Sequence, residues 1–329
     1  MLWYIGALHL FRCMNKCFAI IFFYFFAACN SAENIPDVSD IKISAAVKRF
    51  DRDFFSLDTN HIVASLDTLQ KKYPYFLNDF LYSILALPPN ADSAAARVKL
   101  FIRDYASIND SVQKNFPDFD KQEAAIKHGL QLVKYYFPSY ELPEHIITFT
   151  GPLEGYANVL TTDGMGIGLQ LYLGKGFSVY HTSYLSEVYP VYQSRRFEAA
   201  YITVNCLKNI VSDLYPEQQM SLPLVFQMIE AGKRLYLLDK FLPGTADSLK
   251  TGYTAAQLQG CFNHEEFIWS FFVKNGLLFS TDLSAVRDYM NDGPKTEVLG
   301  ESAPGFIGQF IGWKNKKKWM KENKDKKFK

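Results

Sequence analysis

Apolar residues recur at helical spacing through most of the chain, with one interruption near its middle. Ile43, Val47, Phe50, Phe54 and Leu57 step by four, three, four and three, which predicts a helix over 43–57. Ile62, Leu66 and Leu69 predict a second, ending near Pro74, and Phe76, Phe80, Leu81 and Ile84 a third, stopped by Pro88-Pro89. Residues 93–106 and 120–137 read as two more. The latter opens on Asp120-x-x-Glu123, a pair placed to cap exposed amides, and closes before Pro138. At 145–150 and 157–161 the pattern turns strand-like. Asp163-Gly164 is a two-residue hairpin turn, because both residue types tolerate positive φ. Ile167, Leu169, Leu171 and Leu173 then alternate with Gly168, Gln170 and Tyr172, as a half-buried returning strand does. Helices resume at 196–213, 223–240 and 263–275, and a last one starts near Gly305. The expected fold is mainly helical α+β, one domain over 43–329 with a small central antiparallel sheet or hairpin.

The N-terminus follows different rules. Met14-Asn15-Lys16 precedes an apolar run from Cys17 to Ala28, too short to span a bilayer but right for a secretory signal. Phe26-Ala27-Ala28-Cys29 resembles a lipobox, which makes Cys29 the expected lipid-bearing residue of a lipoprotein, carrying acyl chains such as palmitate, and 14–28 its signal peptide. Residues 1–13 precede an already complete signal and read as an over-extended gene start. The polar, Pro-containing stretch 29–42 is a tether between lipid and fold. The expected location is the cell envelope, lipid-anchored, at the outer membrane and facing the periplasm. Only Cys206 and Cys261 remain in the body, and spacing alone leaves their pairing open.

Charge refines this outline in one place. The formal net charge is +1, yet residues 314–329 hold nine lysines against Glu322 and Asp325, a local +7 that leaves −6 for the rest. An acidic body with a basic tail excludes a nucleic-acid groove, which needs its cations along a folded face.

Catalytic motifs are wanting. There is no His-Glu-x-x-His; His264-Glu265 comes nearest, but Ile268 occupies the second histidine's place, and Asn263 with Glu266 reads instead as a helix start. Gly-x-Ser-x-Gly is missing, the glycines at 164, 166 and 168 lie in a turn and strand rather than before a helix, and the six histidines have no ligand spacing. The residues support no enzyme activity, no metal and no cofactor.

Several segments together resemble the gliding motility lipoprotein GldB family of Bacteroidetes. They are the lipobox, Arg49-Phe50-Asp51 with Phe55, Tyr73-Pro74-Tyr75-Phe76, the run Asp163–Gly174, Gly232–Tyr236, Gly252-Tyr253-Thr254, Ile268-Trp269, Phe279–Asp282 and Pro304–Trp313. Gln170 stands where Asp is expected, and Asn315 and Lys316 break the apolar face expected after Trp313, so the last helix is expected to dock less tightly or end early. The resemblance implies a non-catalytic envelope lipoprotein that supports gliding, or the associated secretion machinery, through contacts with other envelope proteins. The family is also distantly similar to zincin-type metallopeptidases, which implies a degenerate scaffold of that type. Asn205 and Asn209 would then stand at the ligand positions, and Glu230 would be a relic of the third ligand; the plainer reading of Glu230 is an ordinary helix-surface glutamate. Two other functions stay open, a zincin-like hydrolase with carboxylates converging beside helix 196–213 and a sugar-binding lipoprotein.

Overall fold

The computed structural model describes residues 35–216, 222–300 and 303–323. The expected gene-start extension, the expected signal, Cys29 and the end of the basic tail lie outside the described residues. The chain from Val38 onward forms one compact unit. Strand β1 (Ala46–Arg49) leads into helix α1 (Phe50–Phe55), followed by α2 (Ile62–Lys72), α3 (Ala91–Asp104), α4 (Ala106–Asn115) and α5 (Asp120–Tyr136). Strands β2 (His145–Phe149), β3 (Asn158–Thr161) and β4 (Gly164–Gly168) come next. The longer helices of the second half are α6 (Ile202–Leu214), α7 (Leu224–Phe241), α8 (Ala255–Asn263), α9 (Glu265–Lys274), α10 (Leu283–Met290) and α11 (Ile307–Glu322).

The sheet runs β1-β2-β4-β3, and only the β3–β4 hairpin is antiparallel; β1 with β2 and β2 with β4 are parallel. The fold class is therefore as expected, while the sheet is larger and mixed. Its first strand comes from residues read as helix. Ile41, Ile43, Ala45 and Val47 are each more buried than the residues between them, a period of two that the helical spacing had masked. Pairing Ala46–Arg49 against His145–Thr148 satisfies both backbones, and the helix begins only at Phe50.

β2 is covered on both faces, which explains its unbroken run of apolar and β-branched residues. Ile147 and Phe149 enter an aromatic cluster with Phe50, Phe54, Tyr73, Phe76 and Phe80, whereas Ile146 joins the larger helical core around Leu130, Leu207 and Phe241. Asp51 links these layers. Its fully buried carboxylate receives Arg49 Nε at 3.0 Å, Arg49 Nη2 at 2.6 Å, Gln113 Nε2 at 2.7 Å and the Thr148 hydroxyl, so β1, α4 and β2 are tied at one point. The hairpin turn is tied down as well: Asp163 Oδ2 accepts the backbone N–H groups of Tyr75 and Phe76, at 2.9 and 2.6 Å, and caps the helical segment that starts there.

Other local expectations give way. The returning strand ends at Gly168, and Leu169–Leu171 form a 3-10 turn whose Gln170 is fully buried. Its side chain accepts from Gly151 N and donates to the carbonyls of Pro152 and Tyr156, so it pins the loop before β3. Asp120 and Glu123 lie in the first turn of α5 without capping it, and Glu123 pairs with Lys127. Asn263 is the last residue of α8 and does not cap α9; the capping box of this region is Thr254 with Gln257. Helix α4 follows α3 after one residue and had no signal distinct from it.

The densest helix packing is α7 against α11. The helices cross at Gly232 and Gly312, where a Cβ built on Gly312 would stand 1.6 Å from the Met228 carbonyl oxygen. Ile307 to Trp313 are buried in this contact. Trp313 Nε1 donates to Asp239 at 2.7 Å, and Asp239 also takes a short ion pair from buried Lys250. The fully buried face ends at Trp313, but the helix continues to Glu322, Met320 packs partly against the core, and Lys314 and Lys317 reach Glu265 and Asp239.

Candidate functional site

Two places in this fold gather chemistry from distant parts of the sequence. The first is the outer edge of the sheet. β3 pairs only with β4, and Gly168 N donates to Ala157 O, which sets the alternation of the ladder. Val159 and Thr161 thus face β4, while the backbone groups of Asn158 and Leu160 point away from the sheet. Beyond them lies a groove of about 940 Å³, walled on the far side by the loop Tyr140–Glu144 and at one end by Asp213 of α6. Asp79, Glu141, Glu144 and Asp213 line it, and no lysine or arginine does among the described residues. Burial and the nearby Asp163 carboxylate raise the Asp79 pKa. Tyr140 donates its hydroxyl to Asp213 at 2.7 Å, which fixes the loop against α6. None of these acids had a sequence signal, because they stand far apart in the chain and only the fold collects them.

The second place is the surface of α6 where a peptidase of the zincin type would carry its ligands. Asn205 donates to the Tyr172 hydroxyl at 2.8 Å, Tyr172 donates to Asn158 Oδ1, and Asn158 Nδ2 approaches Cys206 Sγ at 3.3 Å. Two amides, a phenol and a thiol thus form one chain among themselves. Burial pushes the Tyr172 hydroxyl and the Cys206 thiol well above their ordinary pKa values, so both stay protonated. Amides and protonated sulfur are poor partners for zinc. Among the described residues no three histidine, cysteine, aspartate or glutamate side chains form a group that would hold a metal ion. Cys206 and Cys261 are free and buried.

Glu230, on α7, pairs with Lys233 at 2.5 Å. It lies on the wall of a second cavity, about 310 Å³, between α6, α7, α10 and the start of α11. Among the described residues no side-chain hydrogen bond joins it to Asn205, and the Asn209 side chain makes none. The same cavity is lined by Lys208, a lone lysine among the apolar residues of α6 that sequence inspection passes over as a solvated charge.

Among the described residues, no helix is long and apolar enough to cross a membrane. No curated protein and no solved structure matches the chain. The family model described as gliding motility protein GldB matches residues 31–329, nearly its whole length. The resemblance first seen in scattered segments thus extends over the fold, and the chain belongs to the GldB family of envelope lipoproteins associated with gliding motility.

Proposed function

We propose that the protein is a non-catalytic lipoprotein that supports gliding, and the secretion machinery linked to it, by holding an extended, lysine- or arginine-rich segment of a partner along β3. One observation carries this reading: an open strand edge lies over a groove that, among the described residues, is lined by four carboxylates and no cation. Outward-facing N–H and C=O groups at Asn158 and Leu160 give a peptide its backbone partners. The carboxylates select its charge, and Leu160 and Tyr156 add apolar contact at the rim. A lipid on Cys29 would hold the domain at the periplasmic face of the outer membrane. Val38 already belongs to the compact unit, so the tether would be the nine residues 29–37, with a reach of roughly 30 Å when extended.

The hydrolase alternative asks for carboxylates converging beside α6. Asp213 is the one α6 contributes, and it is engaged by Tyr140. Carboxylates spread along a groove suit a string of cations better than activation of one water.

The test replaces the gene with variants in a gliding strain. Glu141→Lys with Glu144→Lys reverses two exposed charges, and Leu160→Pro removes an outward N–H that β4 does not use. Both should abolish colony spreading while the purified proteins keep wild-type circular dichroism. Normal spreading by the charge-reversed strain would refute the groove as the contact.

A further inference from the structure

We infer that the cavity between α6, α7, α10 and α11 is a binding site for a small monocarboxylic acid with a short apolar tail, its carboxylate held by Lys208. This site is separate from the β3 groove and stands or falls without it.

The inference starts from an unbalanced charge. Lys208 lines the cavity, and among the described residues its ammonium group has no hydrogen bond and no ion pair. Two other inward-turned cations are matched by carboxylates. Lys250 is held by Asp239 and Asp247, and Arg49 by Asp51. The nearest opposite charge to influence Lys208, Asp292, is already engaged by Arg196. Desolvation, with Arg196 adding repulsion, lowers the Lys208 pKa to about 8. The side chain therefore remains largely protonated at neutral pH but holds its charge at a cost that a bound anion would relieve.

The remaining lining defines the anion. Arg234 reaches the same cavity from α7, and among the described residues its guanidinium donates to the carbonyls of Tyr215 and Pro216 and to no carboxylate. Asn291, just after α10, contributes an amide that makes no side-chain hydrogen bond among the described residues. Glu230 also stands on the wall, but its charge is matched by Lys233, so Lys208 and Arg234 are the cations left to meet a ligand. A carboxylate answers Lys208 and leaves the rest of the ligand to the apolar lining, whereas a phosphate has no tail to cover that lining. Val211, Leu235, Leu238 and Met290 supply the apolar surface for a tail. A volume of about 310 Å³ accommodates a short chain. The first turn of α11, the positive end of that helix, forms part of the wall at Phe306 and Gln309 and favours the same sign of ligand.

The experiment titrates the full chain, purified in detergent, with hexanoate, hexanol and inorganic phosphate. Lysines are reductively methylated with a ¹³C label, and the Lys208 resonance is assigned by its loss in Lys208→Arg. Hexanoate should shift that resonance saturably and raise the Lys208 pKa, while hexanol and phosphate should bind at least about ten-fold more weakly, since the first lacks the charge-assisted bond and the second the tail. Lys208→Met should lose hexanoate affinity by a similar factor in calorimetry. Equal binding of hexanoate and hexanol would overturn the proposal. So would hexanoate binding unchanged in Lys208→Met, or a Lys208 resonance that hexanoate does not move. Phosphate binding tighter than hexanoate would mark a plain anion site and also refute it.

Discussion

The α7–α11 crossing makes a sharp quantitative test, because two glycine-to-alanine changes within helices should act in opposite directions. At Gly312 an added Cβ would lie 1.6 Å from the Met228 carbonyl oxygen and 2.4 Å from its carbon, both of them backbone. No rotamer change relieves such a clash, so the helices must move apart around the buried Trp313–Asp239 bond. Overpacking of a filled core costs about 1–3 kcal/mol, and a backbone collision belongs at the top of that range. Alanine returns roughly 1 kcal/mol in helix propensity. Gly312→Ala should therefore destabilise the protein by about 2 kcal/mol or more, a drop in Tm of roughly 4–8 °C. Gly260 is the control. It lies inside α8 with no heavy atom within 4 Å of its built Cβ, so Gly260→Ala should stabilise by up to about 1 kcal/mol. Urea denaturation followed by circular dichroism reads both. Gly232→Ala, whose Cβ would meet the Gly312 backbone at 2.0 Å, adds a cycle. Since one separation of the helices relieves both clashes, the double variant should cost less than the sum. A Gly312→Ala protein as stable as wild type would refute the close crossing on which the reasoning rests.

Further outcomes follow from buried groups. Desolvation depresses the Lys250 pKa, but Asp239 and Asp247 outweigh it, and the net folded value lies above that of an unfolded lysine. Its contribution to stability is then whole below pH about 10 and lost as pH rises through the folded value. Buried tyrosines act in the same direction, so the Asp239→Asn, Lys250→Met double variant should show a shallower alkaline decline than wild type, and identical slopes would exclude Lys250 as a contributor. Burial raises the Cys206 thiol well above its ordinary pKa and the Cys261 thiol to about 12. Iodoacetamide at pH 8 should leave both unmodified until the chain is unfolded, and rapid labelling of the native protein would contradict their burial. Asp51→Asn should cost about 3 kcal/mol in urea denaturation, because it leaves Arg49 turned inward without its carboxylate. Cys29→Ala should move the protein from the membrane to the soluble fraction on cell lysis, whereas persistent membrane association would locate the anchor elsewhere.

The helical character and the hairpin were legible because each rests on a local rule. A hairpin does form at Asp163-Gly164, but its turn is one residue earlier than expected: Thr162 and Asp163 make the turn, Asp163 is not at positive φ, and Gly164 pairs with Thr161 as the first residue of β4. What failed were features settled across the chain. β1 is a strand because β2 is there to pair with it, although its own spacing also fits a helix. Gln170 reads as one polar position in an alternating strand, yet the loop it pins turns it inward. The Arg49-Phe50-Asp51 segment, noticed only as a family likeness, proves to be a structural clamp. The two candidate sites were hidden for a related reason. Asp79 and Asp213 carry no mark of their meeting in one groove, and Lys208 looks like any helix lysine until its neighbours exclude a partner.

The acidic rim of β3 also governs how the protein meets copies of itself. Tethered molecules on a membrane are concentrated in two dimensions, and an open strand edge there invites edge-to-edge association and fibre growth. Two β3 edges brought together would press eight carboxylates into one seam, and among the described residues neither groove holds a cation to offset them. The strand spans only four residues, so the backbone bonds gained would be few against that repulsion. The arrangement proposed to receive a basic segment would thus keep a membrane-tethered layer of these molecules dispersed, and protonating or screening those acids is the condition under which such a layer would begin to coalesce.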